Sequence, residues 1–92
     1  MRERDIRKAL KARVEDYGGE IRAVSWLGRR NAPDVLVLMP RGGAHAFIEA
    51  KAPGGVPTPA QTREHERMRA AGLIVLVIST IEALDAWMPP LK

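Results

Sequence analysis

The segment Pro33-Asp34-Val35-Leu36-Val37-Leu38-Met39 constrains the fold more than any other part of the chain, because an unbroken apolar run follows directly on a proline and a carboxylate. A run of strand length with this composition suits burial on both faces, the position of a central strand. Pro40-Arg41-Gly42-Gly43 then supplies strong turn chemistry, and His45 to Lys51 resumes as a strand. The two strands predict an antiparallel hairpin turning around Arg41 to Gly43. Asp34 and Glu49 would then fall at the same open end of the pair.

The flanking segments complete an α/β pattern. Ile6, Leu10, Val14 and Tyr17 recur at helical spacing, so a first helix is expected from Glu3 to about Tyr17, stopped by Gly18-Gly19. Ile21 to Leu27 alternates, with Ile21, Ala23, Ser25 and Leu27 on one face, and reads as a strand ahead of the central one. After the loop Pro53-Gly54-Gly55-Val56-Pro57, Thr58 and Pro59 open a helix to about Ala71, and Gly72 closes it. Leu73 to Ile78 forms a buried strand, and Ser79 or Thr80 caps a short helix to about Trp87 before Pro89-Pro90. The order is helix, three strands, helix, strand, helix: a mixed four-stranded sheet flanked by helices, without internal repeats.

Ninety-two residues make one compact domain, 1–92. The chain contains no cysteine, which excludes disulfides, thiolate zinc sites and a cysteine nucleophile. No apolar run approaches the ~20 residues of a membrane span. Met1-Arg2-Glu3-Arg4-Asp5 has no apolar stretch behind it and is not a secretory signal, so the expected location is cytoplasmic. The net charge is +4, and six of the fifteen basic residues lie between Arg2 and Arg13. A basic surface of this kind suits a polyanionic partner as well as simple solvation.

In Phe47-Ile48-Glu49-Ala50-Lys51, Glu49 and Lys51 share one strand face and Ile48 and Ala50 the other. On Glu-x-Lys alone, a solvated ion pair on an amphipathic strand is the commoner reading. Asp34 changes the balance, because two carboxylates held across a hairpin make a hard-cation site. Magnesium takes one or two carboxylates with waters and phosphate oxygens, and the Ala50 carbonyl offers a further protein oxygen. Asp34 as a plain strand-start residue is the alternative. His45 and His65 have no partner at zinc-ligand spacing and read as exposed, although His65 lies one turn after Gln61.

Pro33-Asp34, then Glu49-Ala50-Lys51, then Gln61 resembles the PD-(D/E)XK nuclease pattern. The finer resemblance is to the VRR-NUC family. It rests on a first-helix glutamate, the Pro-Asp strand, Ile48-Glu49-Ala50-Lys51-Ala52-Pro53-Gly54-Gly55, and Pro59-Ala60-Gln61 opening the next helix, and it extends from Glu3 to about Leu84. The valine and arginines that give the family its name are not evident, and Gly28-Arg29-Arg30-Asn31 stands in their general place.

The resemblance implies a restriction-endonuclease-like core in which Asp34, Glu49 and the Ala50 carbonyl bind Mg²⁺ or Mn²⁺, with Glu3 completing the shell. It implies that Lys51 positions or activates the attacking water and that Gln61 supports the site, near Lys51 or a phosphate. Arg29, Arg30, Arg41 and Arg63 are candidate phosphate contacts, with Arg67 and Arg69 further along the same helix. Trp26 and Trp87 read as core or interface residues. The expected activity is metal-dependent endonucleolytic cleavage of DNA, with branched DNA such as four-way junctions as substrate. The expected assembly is a homodimer, for which Trp87, Met88, Pro89, Pro90 and Leu91 offer apolar interface material. A non-catalytic nucleic-acid-binding module of the same fold is the rival reading, and a duplex or flap nuclease is the enzymatic alternative.

Overall fold

The computed structural model describes residues 1–91. Helix α1 (Glu3–Asp16) opens with the Arg2 N–H donating to Asp5 Oδ2 at 2.7 Å. It closes where Gly18 adopts φ +83° and the Gly19 N–H reaches back to the Val14 carbonyl at 2.9 Å. Glycine is needed twice over at this corner, because a Cβ on Gly19 would stand 2.7 Å from the Leu38 carbonyl oxygen.

Strands β1 (Glu20–Ala23), β2 (Val35–Leu38) and β3 (Ala46–Ala50) form an antiparallel meander, and β4 (Val75–Ile78) adds parallel to β3 after helix α2 (Pro59–Ala70). The sheet order is β1-β2-β3-β4, and helix α3 (Ile81–Trp87) follows β4. The parallel β3–β4 step requires a crossover, and α2 supplies it. This is the mixed four-stranded, helix-flanked arrangement expected of a restriction-endonuclease-like core. No helix among the described residues is long and apolar enough to cross a membrane.

The core lies on one sheet face. Ile6, Leu10 and Val14 of α1 pack with Val35, Val37, Ile48, Ala50 and Ile78 of the sheet and with Leu84 and Met88 around α3. Each fully buried aliphatic side chain there contributes about 1.5–3 kcal/mol. The opposite face is covered by α2, whose buried side chains are Glu64, His65 and Met68. A helix that buries a carboxylate and an imidazole is unusual, since such groups are retained inside only when partnered.

Three expectations change. The last strand starts at Val75 rather than Leu73, and Leu73 and Ile74 ahead of it are exposed. Strand β1 ends at Ala23 rather than Leu27, because Ala23 pairs with Val35, the first residue of β2, and only the Val24 N–H bond to the Asp34 carbonyl continues the ladder. Beyond it the chain turns away: Trp26 donates its indole N–H to the Pro33 carbonyl at 2.6 Å and packs against Phe47, while Leu27 is fully exposed. The central strand is also less completely covered than its composition suggests. Val35 and Val37 are buried beneath α1, but Leu36 and Leu38 on the other face are only partly covered, because α2 lies over β4 and not over β2.

Candidate active site

The β2–β3 register pairs Val35 with Ile48, and one further step sets Asp34 opposite Glu49 at the open end of the hairpin. Alternation turns Glu49 toward the face that α2 covers, away from Ile48 and Ala50 in the core, while Asp34, one residue ahead of β2, reaches Arg7 of α1. Past β3 the Lys51 N–H bonds to the Ile78 carbonyl at 3.0 Å, so the strand conformation persists and Lys51 keeps the side of Glu49.

Glu49 is 7% exposed, and His65, 1% exposed, faces it from α2 with Nε2 3.3 Å from Oε1. A carboxylate can only accept, so the imidazole proton on Nε2 points at Glu49. Burial pushes the Glu49 carboxyl above its ordinary range and the Asp34 charge adds to this, while the His65 bond and the Lys51 charge work against it. Ionised Glu49 is thus held at a cost, set chiefly by its burial.

Asp34 has a different partner. The Arg7 guanidinium of α1 donates to its two oxygens at 3.2 and 2.9 Å and also lies 3.1 Å from Glu3 Oε2. Glu3 is thereby drawn toward the same end of the sheet through Arg7, with a cation between the two acids.

A protein of Acyrthosiphon pisum secondary endosymbiont phage 1, "Putative nuclease p44", is 44% identical over 80 residues, which is 87% of this chain and 85% of the relative. A solved structure described as a VRR_NUC domain superposes with a TM-score of 0.82 at 41% identity, over 91% of this chain and 90% of that one. The chain belongs to the VRR-NUC family. No family model matches it.

Within this VRR-NUC domain the expected site residues separate into those that converge and those that do not. Asp34, Glu49 and Lys51 share one end of the hairpin, Ala50 lies between the last two with its side chain in the core, and Glu3 approaches through Arg7. Gln61 is engaged locally: its Oε1 accepts from the Thr58 N–H at 2.9 Å while its backbone N–H donates to Thr58 Oγ1 at 3.1 Å, a reciprocal helix cap, and its amide NH₂ has no hydrogen-bond partner among the described residues.

Arg29 is tied to Glu64 of α2, which also binds Arg67 at 2.8 Å, and these two guanidinium groups hold the Glu64 carboxyl below its ordinary value. The Arg29 contact fastens the loop between β1 and β2 to α2. Arg30 and Arg63 are exposed. Arg41, at φ +56°, occupies the hairpin turn, seven residues along the chain from Asp34 and therefore roughly 20 Å from the carboxylates. That end of the domain instead carries Tyr17 and the C-terminal segment, where the Tyr17 hydroxyl bonds to the Pro89 carbonyl and Arg13 to that of Met88. Met88 is buried in its own domain and Trp87 is partly so, which leaves less of this apolar segment available for an interface.

His65 is the residue that sequence reasoning placed wrongly, as exposed. Its signal was present: Gln61, His65 and Met68 stand at spacings of four and three, one stripe of a helix whose other faces are charged. Arg7 and Glu64 also went unassigned, and their partners lie far off in sequence, without a local pattern to show them.

The residues present fit a hard divalent cation. Among the described residues no three acidic or histidine side chains are gathered closely enough to hold a metal unaided. Magnesium needs only one or two carboxylates, however, and the Asp34–Glu49 pair presents two, one of them a Glu49 whose ionised form burial disfavours without a further cation. Arg7 marks where positive charge is already drawn between Glu3 and Asp34.

Proposed function

We propose that this chain is a metal-dependent endonuclease that hydrolyses phosphodiester bonds in DNA, using Asp34, Glu49 and Lys51. The observation that carries the reading is the placement of Asp34 opposite Glu49 with Lys51 on the same side of the strand, in a domain similar to a VRR_NUC structure and to a phage protein named as a nuclease. Asp34, Glu49 and the Ala50 carbonyl would hold Mg²⁺ or Mn²⁺. Such an ion, when bound, supplies charge neutralisation at the phosphate, a lowered pKa for bound water and a counter-charge for the leaving oxygen.

The chain's own residues do the rest. His65 holds Glu49 in one orientation from its buried position on α2, and Arg7 steadies Asp34 and Glu3. Lys51 brings an ammonium group to the scissile phosphate, where it orients water by hydrogen bonding and stabilises the charge that builds on the non-bridging oxygens. Gln61, its carbonyl committed to the helix cap, presents only donors outward, which suits a phosphate oxygen.

Branched DNA is the proposed substrate and a homodimer the proposed form. A four-way junction carries two symmetry-related scissile phosphates, and a two-fold pair of small domains presents two identical sites to them. Incubation with four-way, flap and linear duplex DNA in Mg²⁺, Mn²⁺ or chelator tests both claims. Paired nicks on opposite strands of the junction, lost in chelator, with light scattering at twice the chain mass, are expected. A monomer cutting only linear duplex would remove the junction and dimer assignments, and cleavage unaffected by chelator would remove the metal.

A further inference from the structure

Of the arginines singled out in sequence for phosphate contact, Arg29 is bound by Glu64 and Arg41 sits at the far end of the hairpin. The basic residues that do adjoin Asp34 belong to α1. A groove of about 610 Å³ runs between α1 and β1, bordered by Arg4, Arg7, Lys8, Lys11 and Arg22, with Asp34 as its one acidic residue. Consecutive residues of the edge strand and its continuation, Ile21 to Ser25, contribute to it, so the groove follows the free edge of the sheet. Its floor is apolar, with Ile21, Ala23 and Val35 beneath the basic border.

The arrangement of charge identifies the occupant. Arg4, Lys8 and Lys11 follow at spacings of four and three, a row along one helix face rather than a cluster converging on a point. A single small anion is met by converging donors, whereas a row meets a repeating anion. Seven helical residues rise about 10 Å, long enough to meet more than one phosphate of a DNA strand. The cations are also available. Among the described residues neither Arg4 nor Lys8 has a carboxylate within ion-pairing distance, the Lys11–Glu15 pair is long, at 3.9 Å, and Arg22 is paired with Glu20; both of these pairs are more than half exposed. Such a pair is readily exchanged for a phosphate. The apolar floor suits sugar and base surfaces between the phosphates.

We propose that the α1–β1 groove is the track of the DNA strand being cut, with Arg4, Lys8, Lys11 and Arg22 holding its phosphates and Asp34 at the end where it meets the carboxylates. This deepens the nuclease reading and rests on it. Arg7 lies at the junction of track and site, where it already binds Glu3 and Asp34.

The test uses the full chain carrying Arg4→Gln, Lys8→Gln and Lys11→Gln, all exposed positions, with binding of labelled single-stranded and duplex DNA followed by anisotropy across a salt series without added divalent metal. Three lost phosphate contacts lower the slope of log affinity against log salt by about 2–3 and the affinity at low salt by at least about tenfold, with the melting midpoint unchanged. Acetylation of wild-type Lys8 and Lys11 is slowed by DNA. An unchanged slope, equal labelling with and without DNA, or a loss produced only by Arg41→Gln with Arg63→Gln overturns the track. Binding is scored apart from cutting: a wild type that binds through these residues but cleaves nothing in Mg²⁺ or Mn²⁺ overturns the nuclease reading alone. A wild type that cuts, beside a triple variant that binds normally, overturns the track alone.

Discussion

Replacing His65 separates the support of Glu49 from the packing of α2. His65→Ala removes a side chain 1% exposed and leaves a buried Glu49 oxygen without the imidazole 3.3 Å away. The unpaired acceptor costs about 1–3 kcal/mol and the cavity adds to it, so a loss of roughly 3 kcal/mol is expected. In a domain of this size each kcal/mol moves the melting midpoint by about 4–8 °C, which puts the fall at roughly 12–24 °C. Alanine therefore cannot distinguish positioning from folding. His65→Leu fills the volume without a donor, and His65→Gln returns an N–H close to the place of Nε2. With outer partners of metal ligands worth about 10–100-fold in metal affinity, His65→Leu is expected to weaken Mn²⁺ binding by that factor while remaining folded, and His65→Gln to recover most of it. Calorimetric Mn²⁺ titration alongside thermal melts of the three variants decides the matter. A leucine variant that binds Mn²⁺ like wild type, or a glutamine variant no better than leucine at equal stability, would refute the positioning role.

Glu49→Gln is expected to raise the melting midpoint of the metal-free protein at neutral pH while abolishing cleavage, because burial of the carboxylate is a cost the amide avoids. The sign in pH follows from linkage: with its folded pKa raised, Glu49 takes up a proton first in the folded state. Its destabilising contribution is therefore complete above that raised value and gone below the ordinary carboxylate value, so the stability gap between Glu49→Gln and wild type should close on acidification. Glu64 has the opposite sign: its folded pKa is lowered by Arg29 and Arg67, so its stabilisation is present above the ordinary glutamate value and lost as pH falls through the lowered one. Urea unfolding of Glu64→Gln should lack that acid-side loss, and an unchanged acid limb would count against the Arg29–Glu64–Arg67 contacts. Lys51→Ala should bind Mn²⁺ in calorimetry yet lose turnover, and loss of metal binding in a folded variant would make Lys51 a structural residue.

The hairpin and its carboxylates were legible because their information is local. Period-two alternation fixes which side of β3 carries Glu49 and Lys51, and the Pro40–Gly43 turn fixes the register that brings Asp34 opposite Glu49. Helix limits were equally readable from Thr58-Pro59 and from Gly18 and Gly72, whose chemistry belongs to single positions. What failed to show depends on distant partners. β1 was overextended because its alternation continues past the residue at which β2 stops. Arg29 read as a free cation because Glu64 is 35 residues away, and Arg7 went unassigned because Asp34 is 27 away. His65 was hidden by the polar composition of α2, whose buried stripe has the helical period but little hydrophobic contrast.

The pairing of Asp34 with Glu49 as the centre of a metal-dependent nuclease is tested most directly by DNA cleavage in Mn²⁺ under single-turnover conditions, comparing wild type with Asp34→Ala and Glu49→Ala. Both variants should stay folded by circular dichroism, since neither carboxylate belongs to the apolar core. Several kcal/mol of charge stabilisation are at stake, so each should cut at least about a thousandfold more slowly than wild type. Near-wild-type cleavage by either folded variant would contradict the assignment.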